Sequence, residues 1–95
     1  MDENNSVKTR KGSIEGFVTI KSKPIANATV MITGNSPPHI DISPLTDDLG
    51  KYGFDNLIEG EYSIMVNIEN HDAKIKKINV VDGKLSKLNF SFDED

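Results

Sequence analysis

Residues 46–66 read TDDLGKYGFDNLIEGEYSIMV, and the fold is decided there. Asp47-Asp48-Leu49-Gly50 is turn chemistry. An aspartate carboxylate can accept a hydrogen bond from the backbone two residues on, and a glycine takes a positive φ at no steric cost. Tyr52 and Phe54 follow two apart, so an extended chain puts both rings on one face. Asp55-Asn56 ends that strand, and Leu57 is expected to plug the rim of the core. Gly60 marks a second turn. Tyr62, Ile64, Val66 and Ile68 then alternate with Ser63, Met65, Asn67 and Glu69, a period-2 run with one buried and one wet face. On a helix those four apolar residues would be scattered around the axis.

Working back from this stretch, residues 28–33 form a β-branched run with Ala28, Val30 and Ile32 on one face. Ile14, Gly16, Val18 and Ile20 alternate with Glu15, Phe17, Thr19 and Lys21 and predict the first strand. Pro24 excludes a central strand between these two segments, because it has no N–H to give a ladder. The Gly34-Asn35-Ser36-Pro37-Pro38 break is strong, and only a weak strand is expected around residues 43–47. Working forward, residues 73–81 and 84–92 predict two strands joined by Asp82-Gly83, a favoured hairpin pair. Leu88, Phe90 and Phe92 share a face in the last strand. In its predicted partner, Ile78 and Val80 are in phase but Ile75 is not, which signals a bulge or an edge. About seven short strands and no amphipathic helix predict an all-β antiparallel sandwich. The expected core is Val18, Val30, Ile32, Tyr52, Phe54, Leu57, Tyr62, Ile64, Val66, Leu88 and Phe90.

Ninety-five residues make one domain. It reads as a flexible polar leader at residues 1–12, the sandwich at 13–92 and an acidic tail at 93–95. An apolar fraction of 36% with 27% charged residues fits a small two-layer domain with wet outer faces. No apolar run approaches the ~18 residues a spanning helix needs, and the polar start MDENNSVKTRKG has no signal-peptide core. The absence of cysteine excludes disulfides, thiolate metal sites and a cysteine nucleophile.

The net charge of −4 is unevenly spread. Eight acidic residues stand against Lys51 between Asp41 and Asp72, and five lysines against Asp82 between Lys74 and Lys87. These read as solvated faces, or as a basic edge for an acidic partner. The basic segment has neither arginine nor interleaved aromatics, so nucleic acid is not an expected partner.

At this point the chain resembles a known family. Gly16-Phe17-Val18, Pro24, Ala28 with Val30, TDDLGKYGF at 46–54, Leu57, Gly60, Tyr62 and Val66 are similar to the pattern of the carboxypeptidase regulatory-like domain, and more loosely to the B-type repeats of bacterial collagen adhesins. Glu59 stands where that pattern has proline. The resemblance implies a transthyretin-like (prealbumin-like) seven-stranded Greek-key sandwich, and a non-catalytic accessory module that supports, spaces or binds proteins, leaning to an extracytoplasmic or cell-surface setting. A carbohydrate- or peptide-binding module using end loops is the alternative, and an enzyme is third. Hydrolases of the uric acid pathway share this sandwich, but their carboxy-terminal Tyr-Arg-Gly-Ser signature is missing, as is any Gly-x-Ser-x-Gly elbow.

No catalytic, cofactor or metal residue is expected. His39 and His71 lie in separate predicted loops without the ligand spacing zinc needs. Asp47, Asp48 and Asp55 lack the calcium-loop pattern. The adhesin-type repeats carry a self-formed Lys–Asn cross-link, whereas Lys21 and Asn89 fall on outward faces here. The expected intact mass is therefore the full sequence mass, without the loss of one ammonia. The candidate interaction surface is Phe17, Met31 and Met65, apolar residues on the polar phase of their strands, with His39 and His71 in the end loops. Phe17 joins the two methionines in one patch only if the strands share a sheet.

Overall fold

The computed structural model describes residues 11–34, 36–38 and 43–93. They form eight strands and no helix: β1 (Gly12–Ile20), β2 (Lys23–Pro24), β3 (Thr29–Thr33), β4 (Lys51–Leu57), β5 (Gly60–Asn67), β6 (Lys74–Val80), β7 (Leu85–Lys87) and β8 (Phe90–Phe92). Two sheets face each other. In one, β1 is central, with β4 and β2 on one side and β7 and β8 on the other; the second runs β3-β5-β6. The three-stranded sheet is antiparallel throughout. The larger sheet is mixed, because β1 runs parallel to β7 and β8.

The alternations in the sequence place the core. Ile14 and Val18 from β1, Val30 from β3, Tyr52, Phe54 and Leu57 from β4, and Tyr62, Ile64 and Val66 from β5 are buried between the sheets. Val80, Phe90, Phe92 and Ala28 complete the cluster, while Ile32 and Leu88 pack against it partly exposed. The Asp47 turn forms as its residues dictate. The Asp47 carboxylate accepts from the backbone N–H of Leu49 and of Lys51, both at 2.9 Å. Gly50 sits at φ 76°, and a Cβ there would lie 2.5 Å from the Val18 carbonyl oxygen.

Four features differ from the expectation. The Pro24 segment is extended as the two-residue β2, hairpinned to β1 through Lys21 and Ser22 at φ 50° and 67°. That left-handed pair is the twist a two-residue hairpin needs, made without the Asn or Gly that announces it. The weak strand at 43–47 is reduced to a single bridge, Leu45 to Thr29. The Asp82-Gly83 hairpin does not form a ladder. The chain turns there, but β6 pairs with β5 while β7 crosses to the other sheet and pairs with β1. The expected last strand is split at Leu88-Asn89, and Gly16 explains where. The Leu88 carbonyl dips toward β1, so a Cβ on Gly16 would lie 1.7 Å from it, and the Tyr52 hydroxyl donates to that carbonyl at 2.5 Å.

Candidate interaction surfaces

The outer face of the three-stranded sheet is built by the odd-numbered residues of β3, β5 and β6. Register puts Met31 opposite Met65, and Met65 opposite Ile75. The result is an apolar row across all three strands. The two methionines are half-buried and Ile75 is 59% exposed. Thr29 and Asn67 lie on one side of the row, and Thr33, Ser63 and Lys77 on the other. Ile75 is the member that sequence reasoning missed. Its signal was the phase break against Ile78 and Val80, which reads as a functional position only once β6 is registered against β5.

Phe17 is not part of this row. It lies on β1 in the other sheet, so the condition for a three-residue patch fails. It is 43% exposed, sits opposite Lys51, and its backbone N–H donates to Asn89 Oδ1 at 3.0 Å. His39 lies outside the described residues. His71 is in the β5–β6 turn, where Nδ1 meets the Glu69 carbonyl at 3.0 Å and Nε2 meets Asp93 Oδ2 at 2.9 Å. Its ring stands edge-on to Phe92, centroids 5.9 Å apart. The Glu69 carbonyl, then Asp93, hold its pKa above the ordinary histidine value by favouring the charged ring. His71 thus ties the end of β8 to the turn.

On the outer face of the larger sheet, Gly53 carries no side chain. An open groove of about 390 Å³ runs over it, lined by Leu45, Asp47, Lys51, Asp55 and Leu85 among others. Lys51 reaches Glu15 across the strands at 3.5 Å. Asp47 is committed to its own turn, and the two backbone N–H groups of Lys51 and Leu49 hold its pKa below the usual carboxylate value. The two tyrosines point inward. The Tyr62 hydroxyl donates to the Ile58 carbonyl at 2.6 Å, and burial pushes both phenol pKa values up. Among the described residues, no group of three His, Asp or Glu side chains is arranged to hold a metal ion.

The lysine-rich segment is not one solvated face. Lys74 and Lys76 occupy the inward phase of β6, opposite Val66 and Ile64. Their ammonium groups reach across to the other sheet. Lys74 donates to the Ser91 carbonyl, and Lys76 to the Asn89 carbonyl at 2.8 Å. They also lie 5.0 and 5.3 Å from the ring centroids of Phe92 and Phe90. Inward-pointing charges of this kind blunt a sheet edge against pairing with another chain. All five lysines of the segment, Lys74, Lys76, Lys77, Lys84 and Lys87, remain exposed. Lys21 and Asn89 are both exposed as well.

Comparison with known proteins fits this architecture. The chain is similar in fold to the Bacillus anthracis TIE protein, with a TM-score of 0.71 at 22% identity over 90% of this chain and 17% of that one. A minor pilin of Streptococcus agalactiae aligns at TM-score 0.65 and 16% identity, over 86% of this chain and 44% of that one. The chain therefore spans less than half of either protein. The dioxygenase domain of a dioxygenase–carbohydrate-binding fusion from a cellulolytic Streptomyces aligns at TM-score 0.63 and 9% identity, over 98% of this chain and 86% of that one. At these identities the likeness is one of fold. No curated protein sequence matches the chain. The family model of the carboxypeptidase regulatory-like domain matches residues 13–93, so with the strand order, the Asp47 turn and the buried tyrosine pair in place, the chain belongs to the carboxypeptidase regulatory-like domain family.

Proposed function

We propose that the chain is a non-catalytic accessory module of a longer cell-surface protein, supporting or spacing its neighbours and docking a protein through one outer face. The observation that carries this reading is the Met31–Met65–Ile75 row. It is apolar, spans three strands, and is bordered mainly by uncharged Thr29, Asn67, Thr33 and Ser63. Three side chains bury far less than the ~800 Å² per partner of a stable dimer. That favours a neighbour held nearby by covalent linkage over a second free copy. Similarity to a pilin and to the TIE protein, each much longer than this chain, supports the same reading. Buried Tyr52 and Tyr62, and the absence of tryptophan, count against a sugar-stacking platform.

The test uses the missing cysteines. Ile75→Cys is the one thiol in the chain and can carry a photo-crosslinker within the longer protein. Capture of a neighbouring domain, abolished by Met65→Glu, is the expected result. Sedimentation of the isolated chain should show the same monomer for the parent and Met65→Glu. Binding on a glycan array would replace the reading with the carbohydrate alternative.

A further inference from the structure

The described chain enters and leaves at opposite ends of the sandwich. At one end, β1 starts beside the β6–β7 turn. Gly83 donates its backbone N–H to the Lys11 carbonyl at 3.2 Å, and Ser13 donates to the Lys84 carbonyl at 3.0 Å. At the other end, β8 finishes beside the β1–β2 turn, where the Lys21 N–H donates to the Phe92 carbonyl at 3.0 Å. Between these points β1 runs parallel to β7 and β8, with Ser13 to Glu15 registered on Leu85 to Lys87, and Val18 to Ile20 on Phe90 to Phe92.

The split between β7 and β8 does not interrupt the row. The Leu88 N–H donates to the Glu15 carbonyl at 2.9 Å, and the Asn89 side-chain oxygen accepts from the Phe17 N–H at 3.0 Å. Asn89 thus supplies with its amide a rung where the split leaves none from the backbone. Lys74 and Lys76 hold the Ser91 and Asn89 carbonyls from the opposite sheet.

This arrangement fixes what tension does. Pulling the start of β1 one way and the end of β8 the other slides two parallel neighbours along their common axis. The hydrogen bonds lie across that axis, so the rungs from residue 13 to residue 21 are strained together. Pulling from one end alone would break them one at a time. Forced unfolding follows the unfolding rate, and a barrier that requires many bonds to break at once is the higher one. We infer that this module is a tension-resisting link, and that its clamp is β1 against β7–β8, with no covalent cross-link. The mechanical property stands on the ladder; its biological use rests on the accessory-module reading above.

Single-molecule force spectroscopy tests it. One preparation is held by its two ends. The other is held by its N-terminal end and Lys84→Cys, which loads the same row from one end. The end-to-end rupture force should be about twofold or more above the one-ended force. Asn89→Ala should lower the end-to-end force and leave the one-ended force unchanged. End-to-end rupture at or below the one-ended force would overturn the inference, as would an Asn89→Ala force equal to the parent's. A weak clamp with intact crosslinking at Ile75→Cys defeats this inference alone; a strong clamp with no crosslink defeats only the docking reading.

Discussion

The two long sides of the sandwich are closed by different chemistry. On the β3/β4 side the closure is neutral and buried. The Thr46 hydroxyl donates to the Ile25 carbonyl at 2.6 Å and accepts from the Ala28 N–H at 2.9 Å. Backbone bonds from Asn27 to the Thr46 carbonyl and from Thr46 to the Ala28 carbonyl finish the seam. On the β6/β8 side the closure is charged and wet, made by Lys74 and Lys76 reaching over Phe92 and Phe90 to backbone carbonyls. Stability sits in the neutral seam and specificity in the charged one. A buried hydroxyl with both bonds made is costly to remove, because its partners are left without water. An exposed ammonium is replaceable in energy, but it denies the edge to another strand.

Gly16→Ala should break the charged side most severely, from beneath. The new methyl would meet a backbone carbonyl, not a flexible side chain, so β8 must move. The expected loss is about 3 kcal/mol, read as a lower urea midpoint with an unchanged slope. Thr46→Val tests the neutral side. It keeps the shape, removes both hydroxyl bonds and strands the Ala28 N–H, for about 2 kcal/mol. If Thr46→Val costs no more than the lysine replacements, the contrast between the sides is wrong.

Lys74→Met with Lys76→Met should cost only about 0.5 kcal/mol each. The larger readout is association: light scattering should show the double variant self-associating at concentrations where the parent stays monomeric. The smallest effect belongs to His71. Its pKa is raised in the fold, so the stability it adds is fully present below the unfolded value of 6.5 and is lost as pH rises through the folded pKa. An NMR titration should place its midpoint above 6.5, and Asp93→Asn should bring it down.

The two regions also differ in how far they could be read from residues alone. The Asp47 turn, the Tyr52–Phe54 pair and the Tyr62–Val66 alternation are local signals, and local physics realised them unchanged. The segment after residue 73 misled for a physical reason. Asp82-Gly83 does turn the chain, with Gly83 at φ 75°, but a turn does not say whether its arms pair or part. They part because β1 offers a longer set of partners to β7 and β8 than β6 does. The first half of β6 also puts lysines at inward positions, which inverts the sign of the alternation there and hid Ile75 among polar residues.

The candidate surface shows the same division. Met31 and Met65 were recognisable as apolar residues on a polar phase, since alternation is a property of each strand. That they face each other, that Ile75 extends the row and that Phe17 lies in the other sheet depend on register and sheet membership. The chain's own order of residues determined which segments extend, where they turn and which face of each goes inside, because these depend on neighbours one to four positions away. Strand pairing, the parallel run of β1 beside β7 and β8, and the opposite exits of the two ends came only with tertiary structure. They depend on competition between hydrogen-bond partners some seventy residues apart, and no local pattern records which of those wins.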